Sequence, residues 1–159
     1  MIKNNFTKLN NLVKHYNTSS VVQSNIIHMF KGDIGATNHY VAPIAQSTLI
    51  NITPNNTVNV TLADNSNIKS TYTGHLNIPQ LSNTATSAHI LLALKDTSLL
   101  LLGQLANDDC HILLNKQTLK VFKNFKLILQ GFRNRQDGIW DVPIPSITNE
   151  QTKSLQQQT

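Results

Sequence analysis

The amino-acid sequence predicts an all-β fold, and three features carry that expectation. Between Val21 and Val142 the apolar residues fall in short runs separated by breaks rich in Asn, Asp, Ser and Pro, the punctuation of a sandwich or barrel rather than of alternating strands and helices. One stretch alternates at period two: Val58, Val60 and Leu62 point one way and Thr57, Asn59 and Thr61 the other, and after "ADNSN" the residues Ile68, Tyr72, Leu76 and Ile78 repeat the pattern. Another run, "LLLLGQL", is continuously apolar, as expected of a strand covered on both faces.

Along the chain, residues 1–20 form a leader in which Phe6, Leu9, Leu12, Val13 and Tyr16 have the spacing of one face of a short helix. Strand-like runs then follow in order: "SVVQS", "NIIHMF", "TVNVTLA", "NIKSTYTGHLNI", "AHILLAL", "SLLLLGQL", "CHILL", "LKVF", "KLILQGF" and "GIWDV". Residues 21–145 make one domain. The alternating pair reads as a β-hairpin whose turn, Asp64 to Asn67, holds small polar residues that tolerate left-handed backbone. Gly103, closing the buried run, is expected to permit a close backbone approach. Residues 146–159 are polar and Gln-rich, a tail.

Composition narrows the functional classes. The chain has 159 residues, 40% hydrophobic and 13% charged, enough for one domain with an ordinary core. Its net charge of +5 comes from 13 Lys and Arg that are scattered, apart from a loose concentration between Lys116 and Arg135. With only 6% aromatic residues and no basic block, nucleic acid is not an expected partner. The single Cys110 excludes an internal disulfide and points to a reducing, cytoplasmic setting. No apolar run reaches a membrane span, so no membrane partner is expected. The histidines lie singly, without metal-ligand spacing, so neither a metal nor a cofactor is expected.

The chemistry concentrates in "KGDIGATNHYV", where Asp33 sits between a strand-like run and a turn. By itself such an Asp more often bonds its own turn backbone than performs catalysis. Its setting changes the balance, because an apolar strand, Asp-x-Gly-Ala-Thr, a hairpin and a buried strand ending in Gly follow in that order. This order resembles one half of a retropepsin, the homodimeric aspartic protease of retroviruses and LTR retrotransposons.

The resemblance is closest to the protease region of Copia-type retrotransposon polyproteins and the segment just after it. It covers roughly Ile26 to Pro145, through "DIGATNHY", "NVTLADNSNIKSTYTGHLNIP", "SLLLLGQL" and "GIWDVP". What it implies is a closed β-barrel or sandwich half, active as a homodimer that cuts its own Gag-Pol polyprotein. Asp33 would be the catalytic residue; Ile34, Gly35, Ala36 and Thr37 its loop; Leu101, Leu102 and Gly103 the brace. Ala63, Asp64, Asn65, Ser66 and Asn67 would form the flap, and His39 would have a local structural role.

One Asp cannot both activate water and protonate the substrate, so two carboxylates sharing a proton are needed. Only one such motif occurs here, and a symmetric dimer would have to supply the second. The departure is Ile34, where active relatives carry a Ser or Thr whose hydroxyl bonds across the dimer. Isoleucine has no donor or acceptor, and Lys31 and Gly32 are also unusual before the Asp. A catalytically weakened or dead retropepsin-like domain, acting in dimerisation or peptide binding, is therefore the second expectation. An unrelated β-sandwich, a structural or nucleic-acid-associated protein, is a third, favoured only by the positive charge.

Overall fold

The computed structural model describes residues 26–147, so the expected leader helix, the strand at "SVVQS" and nearly all of the tail lie outside the described residues. Within them the chain is mostly β. The strands are β1 (Ile27–Asp33), β2 (His39–Val41), β3 (Leu49–Pro54), β4 (Asn59–Thr61), β5 (Asn67–Lys69) and β6 (Tyr72–Leu76). They continue with β7 (Ser87–Ile90), β8 (Ser98–Leu101), β9 (His111–Leu114), β10 (Thr118–Lys123), β11 (Lys126–Arg133) and β12 (Trp140–Pro145). Two short α-helices intervene, α1 (Asn83–Thr86) and α2 (Leu102–Ala106), with 3₁₀ turns at Pro43–Thr48 and Leu92–Leu94.

Ten strands join in one sheet in the order β3-β6-β7-β2-β8-β1-β12-β11-β10-β9, and β4 and β5 form a separate two-stranded ribbon. The expected closure into a barrel is not found. Closure would require β3 to pair with β9, whereas each pairs only inward, β3 with β6 and β9 with β10. Strand β1 lies deep in this sheet, parallel to β8 and antiparallel to β12. The "GIWDVP" segment, the last part of the resemblance, is thus in the sheet that holds Asp33.

A continuous core explains the pairing. Phe30, Val41, Leu100, Leu119, Val121 and Val142 are fully buried, and Leu76, Ile90, Leu102 and Leu105 pack with them. Alternation along β10 is clear: Leu119 and Val121 enter the core while Thr118, Lys120 and Phe122 stay partly exposed. Glycine is needed where sheet elements approach closely. A Cβ on Gly131 would come within 2.6 Å of the Asp141 carbonyl oxygen.

Three expected strands are divided, among them "AHILLAL", which leaves the sheet at Ile90 and enters a 3₁₀ turn at Leu92–Leu94. "NIKSTYTGHLNI" breaks at Ser70 and Thr71, because the Ser70 N–H donates to the Val58 carbonyl and its hydroxyl to the Asn55 carbonyl, pinning the ribbon's base. "SLLLLGQL" stops as a strand at Leu101 and continues as α2. Strands β2 and β3 and helix α1 had no period in the sequence to announce them. Trp140 is a packing residue: it lies against the core, donates to the Asn115 carbonyl at 3.2 Å and carries the Arg133 guanidinium 5.3 Å from its ring centre. None of the described helices is long and apolar enough to cross a membrane.

Candidate active site

Asp33 is the last residue of β1, in register with Leu101 at the end of β8. The strand runs through Lys31 and Gly32 to reach it, and both unusual residues have a structural reason. A Cβ at Gly32 would lie 2.9 Å from Leu119 Cδ1, so this strand passes close over a buried leucine. The Lys31 ammonium lies 2.6 Å from Asp137 and 2.6 Å from Asp141, tying β1 to β12 and to the turn before it. Although its partial burial opposes the charge, these two carboxylates hold the Lys31 amine above its ordinary pKa. Asp141 also accepts from Asn134 Nδ2 at 3.0 Å, so the acids facing this strand are engaged.

Beyond β1 the chain turns at once. The Gly35 N–H donates to Asp33 Oδ1 at 2.7 Å, an Asx arrangement that aims one carboxylate oxygen into its own loop. A Cβ on Gly35 would touch that oxygen at 3.5 Å. Asp33 remains partly exposed, Ala36 is half-buried, and Thr37 closes the loop through a 2.8 Å bond between its hydroxyl and the Tyr40 phenol. Ile34 projects from this loop 81% exposed, so within the chain it buries almost no apolar surface.

His39 fastens the returning chain to β8. Its Nδ1 accepts the Leu101 N–H at 2.8 Å, which fixes the proton on Nε2, and Nε2 donates to the Ala85 carbonyl at 2.7 Å. The His39 N–H donates to Gln104 Oε1 at 3.0 Å, and Gln104 Nε2 donates to the Thr84 and Ser87 carbonyls, each at 2.8 Å. Burial pulls the His39 imidazole down to about 4, against the hydrogen bond to Ala85, with nearby His89 adding to the fall. His39 is a neutral structural clamp. Gln104 was not foreseen as part of the site; a Gln inside an apolar run was the one signal for it.

The residues expected as a brace separate into different roles. Leu101 stands beside Asp33 and is buried, as is Leu102. Gly103 lies exposed in α2, and a Cβ there would meet nothing within 4 Å, so the expected close approach does not occur. The expected flap residues form the tip of the β4–β5 ribbon. Asn65 N–H donates to the Leu62 carbonyl, Leu62 N–H to the Ser66 carbonyl, and Asn65 takes φ 64°, a three-residue loop with a left-handed residue. Asp64 Oδ1 accepts from the Ser66 hydroxyl and N–H, which hold its carboxyl below the usual range. Sheet pairing does not connect this ribbon to β1.

The turn therefore presents one partly exposed carboxylate on a strand braced on both sides, beside an exposed isoleucine. Among the described residues no group of three or more His, Cys, Asp or Glu side chains is placed to hold a metal ion. Comparison with known proteins finds no matching family model, no matching curated protein and no matching solved structure.

Proposed function

We propose that the chain is a retropepsin-like aspartic endopeptidase of a Copia-like retrotransposon, cutting its own Gag-Pol polyprotein in the cytoplasm. The observation that carries this reading is Asp33 at the end of β1, in register with Leu101 of the parallel strand β8 and bonded to the Gly35 N–H. The ordered segments "DIGATNHY", "NVTLAD", "SLLLLG" and "GIWDVP" support it. In this reading the sheet is one half of a retropepsin fold, and a second copy brings its own Asp33 against the first. The pair shares one proton: the ionised member takes a proton from water as the water oxygen bonds to the peptide carbonyl carbon, and the protonated member gives its proton to the carbonyl oxygen. The C–N bond of the resulting gem-diol breaks as the first member returns its proton to the leaving amine and the second regains one from a hydroxyl. The β4–β5 ribbon serves as the flap.

Ile34 favours a second reading, a dimerisation or peptide-binding domain with weakened or lost catalysis. The residue offers no hydroxyl to lock two loops together and stands exposed in the single chain. Incubating the protein with its upstream precursor between pH 4 and 7, beside Asp33→Asn and with pepstatin, separates the two. Pepstatin-sensitive cleavage that disappears in Asp33→Asn supports the protease; dimerisation and peptide binding without cleavage support the module.

A further inference from the structure

Folding places the loose basic concentration between Lys116 and Arg135 at one end of the sheet. From Cys110 to Gln136 there is no Asp or Glu, while Lys116, Lys120, Lys123, Lys126, Arg133 and Arg135 all occur there. This segment is the β9–β10–β11 end of the sheet, and its two faces differ. Leu119 and Val121 enter the core, and Ile112, Ile128 and Leu129 pack against it. On the other face Lys120 lies opposite Leu113 and Gln130, Phe122 opposite His111 and Leu127, and Thr118 opposite Phe132. Phe122 and Phe132 are partly exposed, Leu113 is 55% exposed and Leu127 47%.

The tip of the β10–β11 hairpin is the least expected feature. Asn124 has φ 49° and Phe125 φ 64°, a two-residue turn with both central residues left-handed. Glycine is favoured at the second position, and an aromatic side chain there works against local stability. Phe125 is nevertheless present, fully exposed at 103% and followed by the exposed Lys126. A strained backbone that displays an aromatic ring to solvent is a feature that binding, rather than folding, explains.

We propose that this outer face binds single-stranded nucleic acid, with bases stacking on Phe125, Phe122 and Phe132 and phosphates meeting Lys116, Lys120 and Lys126. Charge complementarity selects an anionic partner. The three rings select unpaired bases, because stacking is open to any base with an exposed face. Six residues of β10 give the stripe a length of about 20 Å, enough for a few nucleotides. Lys123 is left out of the contact set because Asp108 holds it at 3.0 Å, and Arg133 because it stacks on Trp140. The face carries no covalent chemistry and is independent of the Asp33 reading.

Fluorescence anisotropy of the full chain with a labelled oligothymidylate of about 16 nucleotides tests the proposal. Three phosphate contacts give a log–log salt slope near −2, so affinity falls about twentyfold between about 50 and 200 mM salt. Lys120→Ala with Lys126→Ala should bring that slope to roughly −0.7. Phe125→Gly, which suits the turn and keeps the fold, should weaken binding about fivefold or more. Lys69→Ala, on the separate ribbon, should leave both unchanged. Absence of binding at low salt, or equal binding by all variants, overturns the proposal. So does capture by phosphatidylserine vesicles, or self-association, that depends on Phe125 while oligonucleotide binding does not.

Discussion

His39 Nδ1 accepts a hydrogen bond from the N–H of Leu101, the residue that stands in register with Asp33. The strand supporting the candidate carboxylate is thereby tied to the loop that leaves it. This bond exists only while the imidazole is neutral, which gives the fold a defined response to acid.

Because burial lowers the His39 pKa from 6.5 to about 4 in the folded chain, its contribution is fully present above pH 6.5 and is lost as pH falls towards 4. Its size is on the order of 3 kcal/mol. Burial lowers His28 and His89 in the same direction. Urea midpoints should fall markedly between pH 7 and pH 4, and His39→Ala should be less stable at pH 7 with a flatter pH profile. A profile unchanged by His39→Ala would remove the clamp from the account. Any protease activity should therefore decline on its acid side by loss of this clamp.

Ile34 is exposed, so Ile34→Thr should change single-chain stability by no more than about 0.5 kcal/mol. If a second copy supplies Asp33, the new hydroxyl should strengthen dimerisation and raise cleavage about two- to tenfold. Sedimentation together with a peptide-cleavage rate measures both. Weaker association with no gain in rate would favour an apolar contact at Ile34 and the non-catalytic reading.

Two glycines should respond oppositely to alanine. At Gly131 the added methyl meets the Asp141 carbonyl oxygen and Val142 Cγ2, backbone and core that have little room to move, and the loss should approach about 3 kcal/mol. At Gly103 it meets open space within α2, and stability should be unchanged or rise by up to about 1 kcal/mol. Thermal unfolding of the two variants decides the matter.

Phe125→Gly should raise stability by about 1 kcal/mol, by relieving a left-handed aromatic residue in a turn that glycine suits. The calorimetric midpoint is the readout. A fall would mean that the ring packs on its own hairpin.

Much of this architecture was legible in the sequence where the signal was local. The period-two runs marked β4 and β5, and the strand-like run "LKVF" marked β10. The Asx bond at Asp33 follows from an Asp two residues before a glycine. Long-range pairing was not legible. The end of β8 depends on His39 and Gln104, residues whose partners lie across the fold, and no apolar period records them. The reason for Lys31 was hidden likewise, since its acids come from the far end of the sequence. Barrel closure was expected from the family resemblance, whereas pairing partners decide it, and β3 and β9 pair only inward.

The placement of β1 between β8 and β12 also orders events during synthesis. Lys31 meets Asp137 across a separation of 106 residues, so the strand bearing Asp33 leaves the ribosome long before its neighbour β12 exists. Closing so wide a loop is entropically costly and comes late in folding. A nascent or truncated chain ending before Trp140 would expose one edge of β1, with Met29 and Lys31 unpaired on that side. Emergence of β12 would then act as a timing device, keeping the Asp33 turn incompletely braced until that neighbour has been made.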